Sequence, residues 1–265
     1  MNQRANGAAY PPLLEVKNVA VRFGGIVALA GVSFDLARGQ ILGLIGPNGA
    51  GKTTLFNCLS RLYQPSAGEI LFEGKSILGR PAHRIAEIGI GRTFQNVALF
   101  DRLTVLQNVM IGGHTNCKSD YCSDALALPW VARQDVELRR KALKVLADLG
   151  LEREANLPVL GLSFGTRKRV ELARALVSQP KLILLDEPAG GLNHDELGDL
   201  ARLIRHIRDD LGVTVLLVEH LMSLVMSISD KVVVLNFGQK IADGTPAEVQ
   251  KHPEVIHAYL GSSAA

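Results

Sequence analysis

QILGLIGPNGAGKTTLFNCLS, residues 40–60, changes its periodicity twice. Gln40 to Ile45 is an apolar run of strand length. A glycine-rich turn follows, and TTLFNCLSRLY beyond it spaces its apolar residues at helical intervals. Strand, loop and helix in that order, with G-x-x-x-x-G-K-[ST] across the loop, specify a phosphate cradle. Gly46, Pro47, Asn48, Gly49, Ala50 and Gly51 let the backbone curl so that successive N–H groups face a phosphate, and the helix from Gly51 adds the positive end of its dipole. Lys52 is placed to bridge β- and γ-phosphates and the Thr53 hydroxyl to ligate Mg²⁺, with Thr54 completing the motif.

On the N-terminal side, LLEVKNVAVRF and IVALAGVSFDL alternate apolar and polar residues and are split by Gly24-Gly25, the pattern of an antiparallel hairpin. On the C-terminal side, GEILFEG reads as a strand and PAHRIAEIG as helical. From about Thr104 to Val177 the pattern is mostly helical, as in an inserted helical subdomain, with Gly112 to Asp124 a loop. From Lys181 strands and helices alternate again: KLILLD, a helix across Asp195 to Asp209, VTVLLVE, a helix from Leu221, and KVVVLNF. GQKIADG is an edge hairpin strand and Pro246 to Leu260 a helical tail. The continuous apolar strands suit a parallel sheet covered on both faces. The fold class expected is therefore α/β.

With 265 residues, 47% hydrophobic and 21% charged, the chain can bury a sizeable core, which excludes disorder and a small disulfide scaffold. Twenty-nine basic against 26 acidic residues leave a net charge of +3, no footprint for nucleic acid. The apolar runs around Val213 to Val218 and Val232 to Leu235 are far shorter than the roughly 20 residues of a membrane span. Met1 to Pro12 has no apolar core and reads as a flexible segment, and Cys58, Cys117 and Cys122 are odd in number and irregularly spaced. The expectation is a cytosolic protein with reduced thiols.

LILLDEP ends a buried strand with two adjacent carboxylates, which apolar surroundings tolerate only with a cation or a task. Asp186 fits the acidic residue behind Mg²⁺ and Glu187 the base that deprotonates an attacking water, because successive side chains at a strand end point in different directions.

The phosphate loop, Gln95 after GIGRTF, LSFGT at Leu162 to Thr166, LILLDE at Leu182 to Glu187, GLN at Gly191 to Asn193 and His220 after VTVLLVE occur in the order found in ABC transporter nucleotide-binding subunits, which the chain resembles over nearly its whole length. GIGRTFQNVALFDRLTVLQNV, LDEPAGGLN, VEHLMSLVMSISDKVVVLNFGQKIADGTP and VIHAYLG resemble more narrowly the ATP-binding subunit of branched-chain amino acid importers. The resemblance implies one P-loop NTPase (RecA-like) ATPase domain over 13–265 with an antiparallel β subdomain: a catalytic core of about 13–96 and 178–245, a helical subdomain of about 97–177 and a tail of 246–265. It implies ATP and Mg²⁺ as cofactors, and a place on the cytoplasmic face of the inner membrane as a peripheral subunit. The implied partners are a second cassette, identical or paralogous, transmembrane permease subunits and, indirectly, a periplasmic solute-binding protein.

Residue by residue, it implies that Phe23 stacks on adenine and that Gln95 reaches Mg²⁺ or the attacking water while sensing the membrane subunit. His220 contacts the γ-phosphate, and Ser163 and Gly165 act on the ATP held by the other subunit. LSFGT departs from the family's LSGGQ: Phe164 stands for a glycine, as in similar importers, and Thr166 for a glutamine whose reach it lacks, which would weaken closure. Arg167-Lys168-Arg169 reads as the solvated start of a helix, and Cys117 and Cys122 as loop cysteines. An exporter-type cassette such as those extracting lipopolysaccharide, a non-transport ABC ATPase and a non-hydrolysing module are the competing readings. VIHAYLG and LDEPAGGLN favour the importer.

Overall fold

The computed structural model describes residues 12–93, 98–114 and 129–260. Gln95, Cys117, Cys122 and most of the expected Gly112–Asp124 loop lie outside them. The centre is a six-stranded sheet in the order β10-β9-β3-β8-β7-β6, built from β3 (Ile41–Ile45), β6 (Ile90–Arg92), β7 (Leu182–Asp186), β8 (Thr214–Val218), β9 (Lys231–Asn236) and β10 (Gln239–Gly244). Pairing is parallel from β9 through β3, β8 and β7 to β6, and only the edge strand β10 runs antiparallel. Every residue of β3, β7 and β8 is buried, which is why these strands read as unbroken apolar runs.

The strand alternation sorts these side chains onto two cores. Ile41, Ile45, Ile183, Leu185, Val215 and Leu217 face one core; Leu42, Leu44, Leu182, Leu184, Leu216 and Val218 face the other. The second core is closed by helix α1 (Lys52–Leu59), through Leu55, Phe56 and Leu59, and by a four-stranded antiparallel sheet in the order β2-β1-β4-β5. Its strands are β1 (Leu14–Phe23), β2 (Ile26–Leu36), β4 (Ala67–Phe72) and β5 (Lys75–Ser76), and the hairpin turn falls at Gly24-Gly25 as expected.

The first core carries α2 (Val105–Gly112), α3 (Pro129–Asp148) and α4 (Phe164–Leu176), with α5 (His194–Asp209) and α6 (Met222–Ile228) on the same face. Leu138, Ala142, Val145 and Leu146 make the buried stripe of α3 at i, i+4, i+7 and i+8. Two short helices, α7 (Pro246–Gln250) and α8 (Pro253–Leu260), close the chain against β10 and β9.

Two local expectations change. PAHRIAEIG forms two 3₁₀ turns, Ala82–Arg84 and Ala86–Ile88, and Gly89 at φ +95° turns the chain away before an α-helical ladder is established. Helix α4 starts at Phe164 rather than at Arg167, because the Ser163 side chain caps it by accepting the Thr166 N–H.

Candidate nucleotide-binding site

Helix α1 begins at Lys52, with Gly51 as its cap in the left-handed region at φ +102°. No side chain caps this end and no acidic residue lies in its first turn, so its dipole faces the loop unopposed. Gly46 is irreplaceable on two counts. Its φ is +151°, and a Cβ there would stand 2.1 Å from the Leu235 carbonyl oxygen. The β9–β10 turn also holds the far side of the loop, through Gly238 N–H donating to Ala50 O at 3.0 Å. Lys52 is buried, and its ammonium donates to the carbonyls of Gly46 at 2.6 Å and Pro47 at 2.9 Å. Burial pushes its pKa down, while the nearby negative charges of Glu187 and Asp186 pull it back up. The phosphate-loop lysine and the two carboxylates read from LILLDEP thus share one electrostatic neighbourhood.

Asp186 ends β7, and Arg92 ends the neighbouring β6. The guanidinium reaches the carboxylate at 2.9 Å, and both side chains are about nine-tenths buried. Burial raises the Asp186 pKa and the arginine opposes it. Arg92 also donates to Asn57 Oδ1 on α1 at 2.8 Å and to Ser60 Oγ at its C-terminal cap at 2.6 Å, so the end of β7 is tied to the helix that starts at the phosphate loop. Glu187 follows at φ +46°, a strained conformation for a residue with a Cβ. Its N–H donates to Val218 O at 2.9 Å, one step beyond the end of the β7–β8 ladder.

Beside it, Glu219 is fully buried. Its carboxylate accepts the Ala189 N–H at 2.7 Å, the His220 N–H at 3.1 Å and the Leu221 N–H at 3.5 Å. His220 itself is exposed, with Nδ1 3.8 Å from Glu219 Oε2. Sequence reasoning missed Arg92 and Glu219. The available signal was the same for both: a charged residue closing an apolar strand, as in LILLDE.

Ser163 and Gly165 stand at the start of α4, in the helical lobe. A cavity of about 390 Å³ between α4, α5 and the end of β7 joins them to Thr93 and Asp186. Phe164 lies against Gly191, where an added Cβ would come 2.8 Å from its ring, and the Lys168 ammonium sits 5.8 Å from the ring centroid. The aromatic in place of glycine therefore packs on the GLN turn. Asn193 of that turn caps α5 in a box with Glu196. Arg167 pairs with Asp101 at 2.9 Å, so the basic run is only partly a solvated face. Phe23 is half exposed at the tip of the β1–β2 hairpin, edge-on to Tyr63 at 5.3 Å between centroids. Thr53 is exposed on the first turn of α1 and Thr54 is half buried. Among the described residues no cluster of three or more His, Cys, Asp or Glu could hold a metal, and no helix is long and apolar enough to cross a membrane.

A glycine loop feeding a helix, a lysine in it, and carboxylates on a parallel strand two places away in the sheet define a P-loop nucleotide-binding ATPase. Comparison with known proteins narrows the class. The ABC transporter family model matches residues 29–190, and the branched-chain amino acid ATP-binding cassette transporter model matches residues 239–265. The high-affinity branched-chain amino acid transport ATP-binding protein BraF of Pseudomonas aeruginosa is 44% identical over 95% of this chain and 99% of its own. LivG of Escherichia coli, of the same description, is 43% identical over the same shares. Among solved structures, the ADP conformation of MJ1267, an ATP-binding cassette of an ABC transporter, superposes with a TM-score of 0.83 at 30% identity, over 95% of this chain and 100% of that one. A dimeric post-hydrolysis state of the cassette MJ0796 bound to ADP and Pi gives 0.72 at 26% identity, over 88% and 98%. The chain belongs to the ABC transporter ATP-binding proteins, in the branched-chain amino acid group.

Proposed function

We propose that the chain hydrolyses ATP to drive branched-chain amino acid import, as one of two cassettes clasped beneath transmembrane permease subunits on the cytoplasmic face of the membrane. A periplasmic solute-binding protein would deliver the solute to the permeases. The observation that carries this is the phosphate loop with buried Lys52 on the Gly46 and Pro47 carbonyls, in a chain that matches the branched-chain amino acid cassette model.

In this reading the loop amides of Gly46 to Gly51 and the Lys52 ammonium hold the β- and γ-phosphates, and Phe23 covers the adenine. Mg²⁺ would be held by the Thr53 hydroxyl, Asp186 and Gln95, a hard-oxygen set suited to an ion that keeps several waters, and it would neutralise charge on the phosphate oxygens. Glu187 accepts the proton of the water that attacks the γ-phosphorus in line, and His220 contacts the γ-phosphate. Ser163 and Gly165 of each chain complete the site of the other, so hydrolysis requires the closed pair. Closure reaches the membrane subunits through Gln95 and the lobe of α2 to α4.

Phe100, Leu157 and Leu160 expose apolar surface on that lobe. Buried Asn108 shapes the first of these loops, accepting from Phe100 N–H at 2.8 Å and donating to the Phe100 and Thr104 carbonyls at 3.0 Å. These three side chains suit a permease helix docking on this lobe.

The test is phosphate release by the chain assembled with its partner cassette and permeases. Glu187→Gln is expected to retain ATP and lose nearly all turnover, and Lys52→Ala to lose nucleotide affinity. Undiminished release by the first variant, or unchanged affinity in the second, overturns the assignment.

A further inference from the structure

Glu219 lies outside every role given above, yet it is the fully buried carboxylate at the meeting of the two turns that carry Glu187 and His220. Strands β7 and β8 pair in register up to Asp186 opposite Val218, and the Glu187 N–H extends that ladder by one bond to Val218 O. Beyond this point the backbones diverge, and what spans the gap is a side chain. Glu219 Oε1 accepts the Ala189 N–H at 2.7 Å from the turn after Glu187, while Oε2 accepts the His220 N–H at 3.1 Å within its own turn. An acceptor-only group is the one polar side chain that satisfies converging N–H donors at both oxygens, because a glutamine must turn its NH₂ toward at least one of them.

The bond to Ala189 matters because Glu187 sits at φ +46°. A residue in that strained conformation keeps it only where its neighbours fix the chain on both sides. Val218 O holds the amide of Glu187, and Glu219 holds the peptide two residues on. The other bond fixes the amide of His220, whose ring is exposed. Its imidazole Nδ1 lies 3.8 Å from Glu219 Oε2.

We infer that Glu219 is a positioning residue of the hydrolytic site: it locks the Glu187 turn to the His220 turn, so that the base and the γ-phosphate contact are placed as one rigid unit. This rests on the hydrolytic reading above, and deepens it.

The experiment is steady-state ATP hydrolysis by the assembled transporter with Glu219→Gln, Glu219→Asp, His220→Ala and the Glu219→Gln/His220→Ala double variant. Nucleotide-binding stoichiometry and thermal midpoint are measured on each preparation. Glu219→Gln is expected to lower kcat about tenfold or more while KM for ATP moves less than about threefold, since the Lys52 loop is untouched. Glu219→Asp keeps the charge but falls short of Ala189, so it should lose kcat similarly.

The discriminating readout is the cycle. If Glu219 acts through the placement of both His220 and Glu187, the double variant loses clearly less than the product of the two single losses, because the His220 share of the Glu219 effect is already gone, whereas a residue that only supports folding gives independent, multiplicative losses. A kcat within twofold of wild type for Glu219→Gln, or additive losses in the cycle, overturns the inference. If Glu219→Gln does not fold, Glu219→Asp decides it by the same kcat criterion. Wild-type protein that hydrolyses no ATP would instead remove the function proposed above, a different outcome from active wild type with an equally active variant.

Discussion

The guanidinium of Arg92 stands 2.9 Å from the carboxylate of Asp186, across the parallel pair β6–β7, with both side chains about nine-tenths buried. This pair reconciles an acidic strand end with an apolar core: desolvation pushes Asp186 toward its neutral form, and the adjacent cation opposes that push. Arg92 Nη1 donates to Asn57 on α1 and to Ser60 at its C-terminal cap, and the guanidinium lies 5.7 Å from the Phe56 ring centroid. One side chain therefore joins the strand ending at Asp186 to the helix starting at the phosphate loop.

Removing Arg92 leaves a buried carboxylate without its cation and Asn57 and Ser60 without this donor. Arg92→Ala is expected to cost about 3–5 kcal/mol of folding stability, the range seen when one partner of a buried pair is deleted. Urea unfolding followed by circular dichroism measures it. A loss below about 1 kcal/mol would show that the pair is solvated in solution and does not organise the site.

How much of this was readable beforehand depends on whether a feature has a period. Strands β3, β7 and β8 announced themselves because burial on both faces makes an uninterrupted apolar run, and the phosphate loop because its glycines are required at fixed intervals. Arg92 and Glu219 have no such signature. Arg92 meets Asp186 from 94 positions away, and the N–H donors that Glu219 accepts are read only once β7 and β8 are placed side by side. The strain at Glu187 was invisible for the same reason, since it follows from what holds the turn rather than from the residue type. PAHRIAEIG misled because its spacing suits one helical turn, and periodicity over so short a stretch cannot separate 3₁₀ from α.

The Ser163 hydroxyl is engaged twice inside its own chain, accepting the Thr166 N–H at 3.2 Å and lying 2.9 Å from Thr166 Oγ1. The second contact competes with any contact Ser163 makes to nucleotide on a partner cassette. Thr166→Val keeps the backbone cap and the β-branched shape but deletes the competing hydroxyl. In the Glu187→Gln background it is expected to tighten ATP-dependent pairing of cassettes about two- to fivefold, the worth of one modest hydrogen bond. Sedimentation velocity with ATP reads this, and weaker pairing would mean that Thr166 orients Ser163 rather than occupying it.

Cys58 is buried on α1, and burial pushes its thiol pKa up to about 11. At pH 8 about one thiol in a thousand is then thiolate, before access is considered. Peptide-resolved mass spectrometry after iodoacetamide at pH 8 should find Cys58 unmodified in the native protein and modified in urea. Rapid native labelling would show that α1 detaches from the core, and with it the start of the phosphate loop.

Glu219 also links stability to pH. Burial raises its native pKa, against the three amides it accepts and the neighbouring His220, while in the unfolded chain it titrates near the ordinary value of about 4.3. Between those two values the native state holds the proton more tightly than the unfolded state, so folding takes up protons. Stability from this group is therefore greatest below the unfolded value and declines as pH rises through the native one. Glu219→Gln cannot titrate, and whatever constant cost its misplaced NH₂ adds is the same at every pH. The thermal midpoint of the variant minus that of wild type is thus expected to increase as pH is raised from about 4 toward 7. A difference that stays flat would mean that the native and unfolded values coincide. One that falls would mean that the amides of Ala189, His220 and Leu221 outweigh burial and hold the carboxylate below its ordinary range.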